Sequence, residues 1–207
     1  MPDPGLTADQ TARTHHPVPG PGASRRRSSL RELGRLDRAV YVAVAESDTP
    51  TLDDGLRRLS LAADKSKLWL GVAALLALAG GSRGRRAAVN GAVSIGVASA
   101  TVNLGFKPLA RRARPLRGEA APDARHVRMP GSTSFPSGHA ASAFAFAEGV
   151  GVALPWPRPF LLVAAATFAE SRVHCGVHYP GDVVAGSLIR LVAGRFAAMA
   201  TNRAWPK

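Results

Sequence analysis

Between residues 68 and 200 the sequence runs as four or five apolar blocks parted by polar, basic connections. The blocks are Leu68–Gly80, Ala87–Phe106, Gly138–Leu154, Pro159–Ser171 and Val183–Ala200. None alternates apolar and polar residues as a half-buried strand does, and none repeats another, so the pattern predicts helices. Ala87–Phe106 has the length of a full bilayer span, roughly 20 residues, whereas Leu68–Gly80 falls short of it. Glycine, alanine and serine dominate, and small residues let membrane helices approach closely. The expected fold is all-α: a helical bundle of about six helices, mostly membrane-embedded. The same blocks also allow a soluble helical bundle.

The rest of the chain is built differently. Residues 1–28 hold Pro2, Pro4, Pro17, Pro19 and Pro21 with no apolar run, and read as a disordered tail without a secretory signal. Arg25, Arg26 and Arg27 close it, either as a solvated run or as a contact with anionic headgroups. A domain is then expected over 29–207, with amphipathic helices at 29–64 and a core bundle at 66–201. Ser29–Ser47 carries the stripe Leu30, Leu33, Leu36, Val40 and Val44, suited to an interface. Thr51 reads as the N-cap of a second amphipathic helix, with Asp53 and Asp54 in its first turn.

The formal charge of +13 with a mean hydropathy of +0.01 means that cations and apolar residues are segregated. So basic a balance implies an anionic partner: nucleic acid, an anionic membrane or a phosphorylated substrate. The single cysteine, Cys175, excludes an intrachain disulfide and reads as a small semi-buried residue.

Three stretches carry chemistry. The first, after Phe106, places Lys107 and Arg114 seven residues apart, a point charge and a planar fork for one dianion. Arg111, Arg112, Arg117, Arg125 and Arg128 around them read as a solvated or headgroup-facing surface. The second, Phe135-Pro136-Ser137-Gly138-His139, opens a helix. Ser137 can cap it, Gly138 lets a ligand approach the backbone, and free N–H groups make an anion site. His139 would stand there to protonate a leaving oxygen. The third joins Arg172, His178 and Asp182. Arg172 is a third cation, His178 a nucleophile, and Asp182 the group that fixes its tautomer. His174 has no Asp four residues on and reads as structural. Alternating antiparallel helices would bring all three stretches to one end of the bundle.

Read in order, Lys107-x6-Arg114-Pro115, Pro136-Ser137-Gly138-His139 and Ser171-Arg172-x5-His178-x3-Asp182 resemble the three signatures of the type 2 phosphatidic acid phosphatase (PAP2) superfamily. That superfamily includes membrane lipid-phosphate phosphatases, bacterial acid phosphatases and vanadium-dependent haloperoxidases. The resemblance implies that Lys107, Arg114, Ser137, Gly138 and Arg172 bind phosphate. It implies that His178, oriented by Asp182, becomes a phosphohistidine while His139 acts as acid and then base. Three cations facing a charge-dispersed transition state leave no need for a metal or other cofactor.

The expected function is therefore phosphate hydrolysis on a lipid at the bilayer interface, by an integral protein of a bacterial inner membrane. The Ala/Arg/Gly-rich composition suggests a GC-rich bacterial genome. Candidate substrates are phosphatidate, phosphatidylglycerol phosphate, polyprenyl phosphates or diphosphates, and decaprenyl-phosphoryl ribose phosphate. A soluble acid phosphatase or a haloperoxidase is the alternative within the superfamily. A nucleic-acid-binding protein fits poorly, because aromatics are few and the cations gather at the phosphate stretches.

Overall fold

The computed structural model describes residues 21–116 and 123–204. These form eight α-helices and no strand: α1 (Pro21–Ala45), α2 (Pro50–Ala62), α3 (Lys67–Ala79), α4 (Gly81–Ala100), α5 (Gly138–Ala153), α6 (Arg158–His174), α7 (Pro180–Leu188) and α8 (Arg190–Ala204). A π-helical turn, Thr101–Phe106, continues α4, and short 3-10 turns lie at Asp64–Ser66 and Asp123–Arg125.

The all-α class is as expected, and the differences from the sequence reading are local. Pro21–Ser28, taken as the end of the tail, are the first turns of α1, while residues 1–20 lie outside the described residues. So do the side chains of Arg25, Arg26 and Arg27, and the whole of Arg117. Thr49 rather than Thr51 stands at the α2 cap position, because Pro50 has no N–H to lose at the helix start. The basic connection ahead of Ala87 is itself helical, with Arg83, Arg85 and Arg86 in α4, and the turn is made at Gly80–Gly81, with Gly81 at φ +57. The last apolar block breaks at Ile189 into α7 and α8, which raises the helix count above six.

α1 divides by packing. The segment through Leu36 is a unit by itself, with Leu30, Leu33 and Leu36 exposed. From Asp37 onward the helix belongs to the main unit, where Tyr41 and Ala45 pack with Val173 and Tyr179. The buried face is thus Tyr41 and Ala45 rather than the leucine stripe.

The centre of the main unit is α5, which packs on α4, α6, α7 and α8. Its alanines let neighbours come close, and the space left is filled by Trp69, Phe146 and Phe168, whose rings meet edge-on or tilted. Gly91 on α4 sits under the Phe146 ring, where a Cβ would lie 2.6 Å from it, and Gly149 on α5 lies equally close to the Asn90 backbone. These glycines set the α4–α5 separation. Away from this centre, Leu75, Leu78, Phe160, Val163, Leu191, Phe196 and Met199 point outward. Two stretches, Gly81–Phe106 and Pro180–Thr201, are long and apolar enough to cross a membrane.

Candidate active site

Four chain segments meet at one end of this unit: the exit of α4, the start of α5, the exit of α6 and the start of α7. Their meeting is held by backbone bonds. Ser137 N–H donates to Asp182 O at 2.9 Å, joining the N-termini of α5 and α7, and Ser134 N–H donates to Arg112 O at 2.9 Å. Gly186 on α7 faces the Ser137 carbonyl with no room for a Cβ. At the α6 exit, Val177 and His178 both donate to Arg172 O, at 2.9 and 3.2 Å, which folds the Cys175–Tyr179 connection back over the helix end.

His178 lies in that connection and is 1% exposed. Its Nε2 is 3.2 Å from Arg114 Nη1, and its Nδ1 is 3.5 Å from Asp182 Oδ2 and from Ser134 Oγ. A guanidinium only donates, so Nε2 carries the lone pair and Nδ1 the proton. The imidazole therefore points its nucleophilic nitrogen at a cation and its N–H at a carboxylate. Burial pushes its pKa from 6.5 down to about 4; the Asp182 carboxylate opposes this, and the Arg114 and Arg172 cations add to it.

Asp182 is fully buried and saturated with donors. Its Oδ2 accepts from Ser134 Oγ and from Tyr179 N at 2.9 Å, and its Oδ1 accepts from Arg112 Nη1 at 2.9 Å. Arg112 reaches on to Asp37 and stacks 4.1 Å over the Tyr179 ring. Asp37 in turn accepts from Gly181 N at 2.6 Å. The sequence reading placed Arg112 on a solvated surface; it is instead a strut between two carboxylates. Arg125, read the same way, is 1% exposed: its Nε lies 2.9 Å from Asp53 Oδ1, and its fork donates to Val44, Ala45 and Ser47 carbonyls. Arg111 and Arg128 are exposed as expected.

The remaining cations are anchored to hydroxyls. Lys107 Nζ donates to Ser132 Oγ at 2.8 Å, and Arg114 Nη2 reaches the same oxygen at 3.2 Å while its Nε donates to Ser132 O at 2.8 Å. Burial, then the neighbouring Arg114 charge, lowers the Lys107 pKa. Arg172, 2% exposed, donates to Ser60 Oγ at 2.6 Å. Ser137 is fully buried and accepts from Ala140 N at 3.3 Å, so its hydroxyl is committed to capping α5.

His139 stands one residue inside α5. Its Nε2 donates to Asp64 Oδ1 at 3.0 Å, and its ring centre is 6.4 Å from that of His178. Desolvation works to raise the Asp64 pKa, but the His139 hydrogen bond and charge outweigh it and leave the carboxyl below its ordinary value. His174 donates to Asp53 at 2.9 Å and faces away from this cluster, and Cys175 is buried.

A family model described as the PAP2 superfamily matches residues 87–206. The chain belongs to the PAP2 superfamily. Among curated relatives, the chain is 37% identical over 160 residues to the decaprenylphosphoryl-5-phosphoribose phosphatase of Mycolicibacterium smegmatis, covering 76% of this chain and 84% of that protein. Among solved structures it resembles LpxE of Aquifex aeolicus at 22% identity with a TM-score of 0.61, covering 79% and 95% of the two chains. It also resembles the transmembrane PAP2-type phosphatidylglycerolphosphate phosphatase of Bacillus subtilis, at 20% identity and the same TM-score, covering 84% and 89%.

In this PAP2 chain the structure brings together Arg114, Arg172, His178, Asp182, Ser137, Gly138 and His139, with Lys107 at the edge through Ser132. Sequence reasoning missed Asp37, Asp53, Ser60, Asp64, Arg112, Arg125, Ser132 and Ser134. Only the last two had a local signal: the Ser132-Thr133-Ser134 run directly precedes the Phe-Pro-Ser-Gly-His stretch.

Proposed function

We propose that this PAP2 protein is an integral membrane phosphatase that removes a phosphate from a lipid-linked substrate through a covalent intermediate on His178. The observation that carries the reading is the orientation of that imidazole, with Nε2 lone pair toward Arg114 and Nδ1–H toward Asp182. Phosphate would enter at the Arg114 side, its oxygens meeting Arg114, Lys107, Arg172 and the backbone N–H groups at the start of α5.

Nε2 then attacks phosphorus as the ester P–O bond breaks. The leaving oxygen takes the Nδ1 proton of His139 in its imidazolium form, whose Nε2–H stays on Asp64, and departs as an alcohol. In the second half, a water gives its proton to His139 and attacks phosphorus, breaking the N–P bond and releasing inorganic phosphate. Asp182 stabilises the charge that His178 acquires between these steps. The three cations supply the stabilisation that a metal gives elsewhere.

The membrane assignment is supported by the two spanning stretches and by the outward apolar residues on α3, α6 and α8. A bacterial inner membrane fits the relatives. The names of those relatives, together with the identity over most of both chains, favour a polyprenyl-phosphoryl pentose phosphate over phosphatidate, phosphatidylglycerol phosphate or a polyprenyl diphosphate. A panel of these lipids, assayed for phosphate release by the purified chain in detergent, tests the reading. Fastest release from the sugar-linked phosphate is expected, and release from none would refute it.

A further inference from the structure

Beside the phosphate site is a cleft of about 200 Å³ that opens at His139 and Lys107. Its other walls are polar: Lys65 and Ser66 on one side, Ser142 of α5 below, and Asn103 with Ser99 at the end of α4. Asn103 Nδ2 donates to Ser99 Oγ at 3.2 Å, but Lys65, Ser66 and Ser142 have no side-chain partner among the described residues. Ser142 lies on the most buried helix of the molecule, yet it is one of the residues that line the cleft. Lys65 and Ser66 are held in place by backbone of an unusual kind. Both are left-handed, at φ 53 and 61, and neither is glycine. The turn that contains them is fastened to the site by Asp64, which binds His139.

The position of the cleft matters as much as its lining. His178, Arg114 and Arg172 do not line it; His139 does. In an in-line displacement the leaving oxygen departs on the side of phosphorus remote from the nucleophile. For His178 as nucleophile and His139 as acid, that side is this cleft. We propose that the cleft is the leaving-group subsite, that it takes a hydroxyl-bearing sugar, and that Lys65 binds a second phosphate carried by that sugar. The inference rests on the phosphatase reading above and extends it to what the enzyme recognises beyond the phosphate it cleaves. Ser66, Ser142 and the Asn103 amide supply hydrogen bonds to sugar hydroxyls, and Lys65 supplies the charge that a diacylglycerol leaving group would not use.

The test compares two substrates with the purified full chain in detergent. One is a polyprenyl-phosphoryl pentose phosphate; the other is phosphatidate, whose leaving group has neither sugar nor second phosphate. Lys65→Met is expected to lower kcat/KM for the sugar substrate about tenfold more than for phosphatidate, through KM. Lys65→Arg should restore most of the loss, and Ser142→Ala should give a smaller loss of the same selectivity. If only the sugar substrate is cleaved, the rise in KM for Lys65→Met is read on it alone. Equal effects on both substrates, no effect, or cleavage of phosphatidate alone would overturn the subsite while leaving the phosphatase standing. Release of phosphate from neither substrate by the wild-type chain would overturn the phosphatase reading itself.

Discussion

Arg112→Met distinguishes a structural strut from a surface charge. In the folded chain Arg112 joins Asp182, whose side chain is fully buried, to Asp37, which is 12% exposed, and itself remains 29% exposed. Deleting one partner of a fully buried ion pair costs about 3–5 kcal/mol. Two features lower that figure here. Solvent reaches the guanidinium side of the pair, and each carboxylate keeps other donors: Ser134 and Tyr179 N for Asp182, Gly181 N for Asp37. The expected loss is about 2–3 kcal/mol, or about 5–10 °C in melting temperature for a domain of this size. Arg111→Met, one residue earlier and exposed, is the control and should stay within about 0.5 kcal/mol of wild type. Thermal unfolding of both variants in the same detergent, followed by tryptophan fluorescence, gives the comparison. Because Arg112 also helps fix Asp182 against His178, kcat should fall about tenfold in Arg112→Met alone. Equal melting temperatures and equal kcat for the two variants would refute the argument.

Three further outcomes follow from the same geometry. Gly186→Val places side-chain atoms against the Ser137 carbonyl and should cost about 1–3 kcal/mol, with activity lost because α7 and the start of α5 are pushed apart. His178, with its pKa near 4, should be protonated in roughly one molecule in a hundred at pH 6, against about three in four for an ordinary imidazole. Histidine NMR titration reads this directly. The unfolded chain takes up that proton near 6.5 and the folded chain only near 4, so stability should fall as the pH drops between those values. Finally, phosphate release should survive a chelator and be inhibited competitively by vanadate; loss of activity on chelation that zinc or magnesium restores would contradict the three-cation account.

What was legible in the sequence was the part whose spacing is local. The cap residues Ser137 and Gly138 with His139 lie within three positions, and His178 and Asp182 are one helical turn apart in number. Apolar block lengths located the helices of the core, though α4 begins six residues ahead of its block and the last block breaks at Ile189, because hydropathy marks the outward apolar residues as well as the buried ones. The supporting shell was not legible, because its bonds join positions far apart in the chain. Arg112 meets Asp182 across 70 residues and Asp37 across 75, and His174 meets Asp53 across 121. Arg112, Asp37 and Asp53 taken alone have the pattern of solvated charges on an amphipathic surface. Asp37 in α1 and Asp53 in α2 look like ordinary polar-face residues; what marks them are the two arginines, Arg112 and Arg125, that arrive from the long connection after α4. In α1 the stripe leucines Leu30, Leu33 and Leu36 are exposed, and the residues that pack are Tyr41 and Ala45, which the stripe did not single out.

The claim on which the account depends is that phosphorus becomes bonded to one imidazole nitrogen. Rapid acid-free quenching of the purified chain turning over a phosphorus-labelled substrate, followed by peptide mass spectrometry under alkaline conditions, tests it most directly. The account predicts an alkali-stable, acid-labile phosphate on His178, formed more slowly in His139→Ala and missing in His178→Ala. Label on His139, on a carboxylate or on no residue, with turnover intact in His178→Ala, would contradict it.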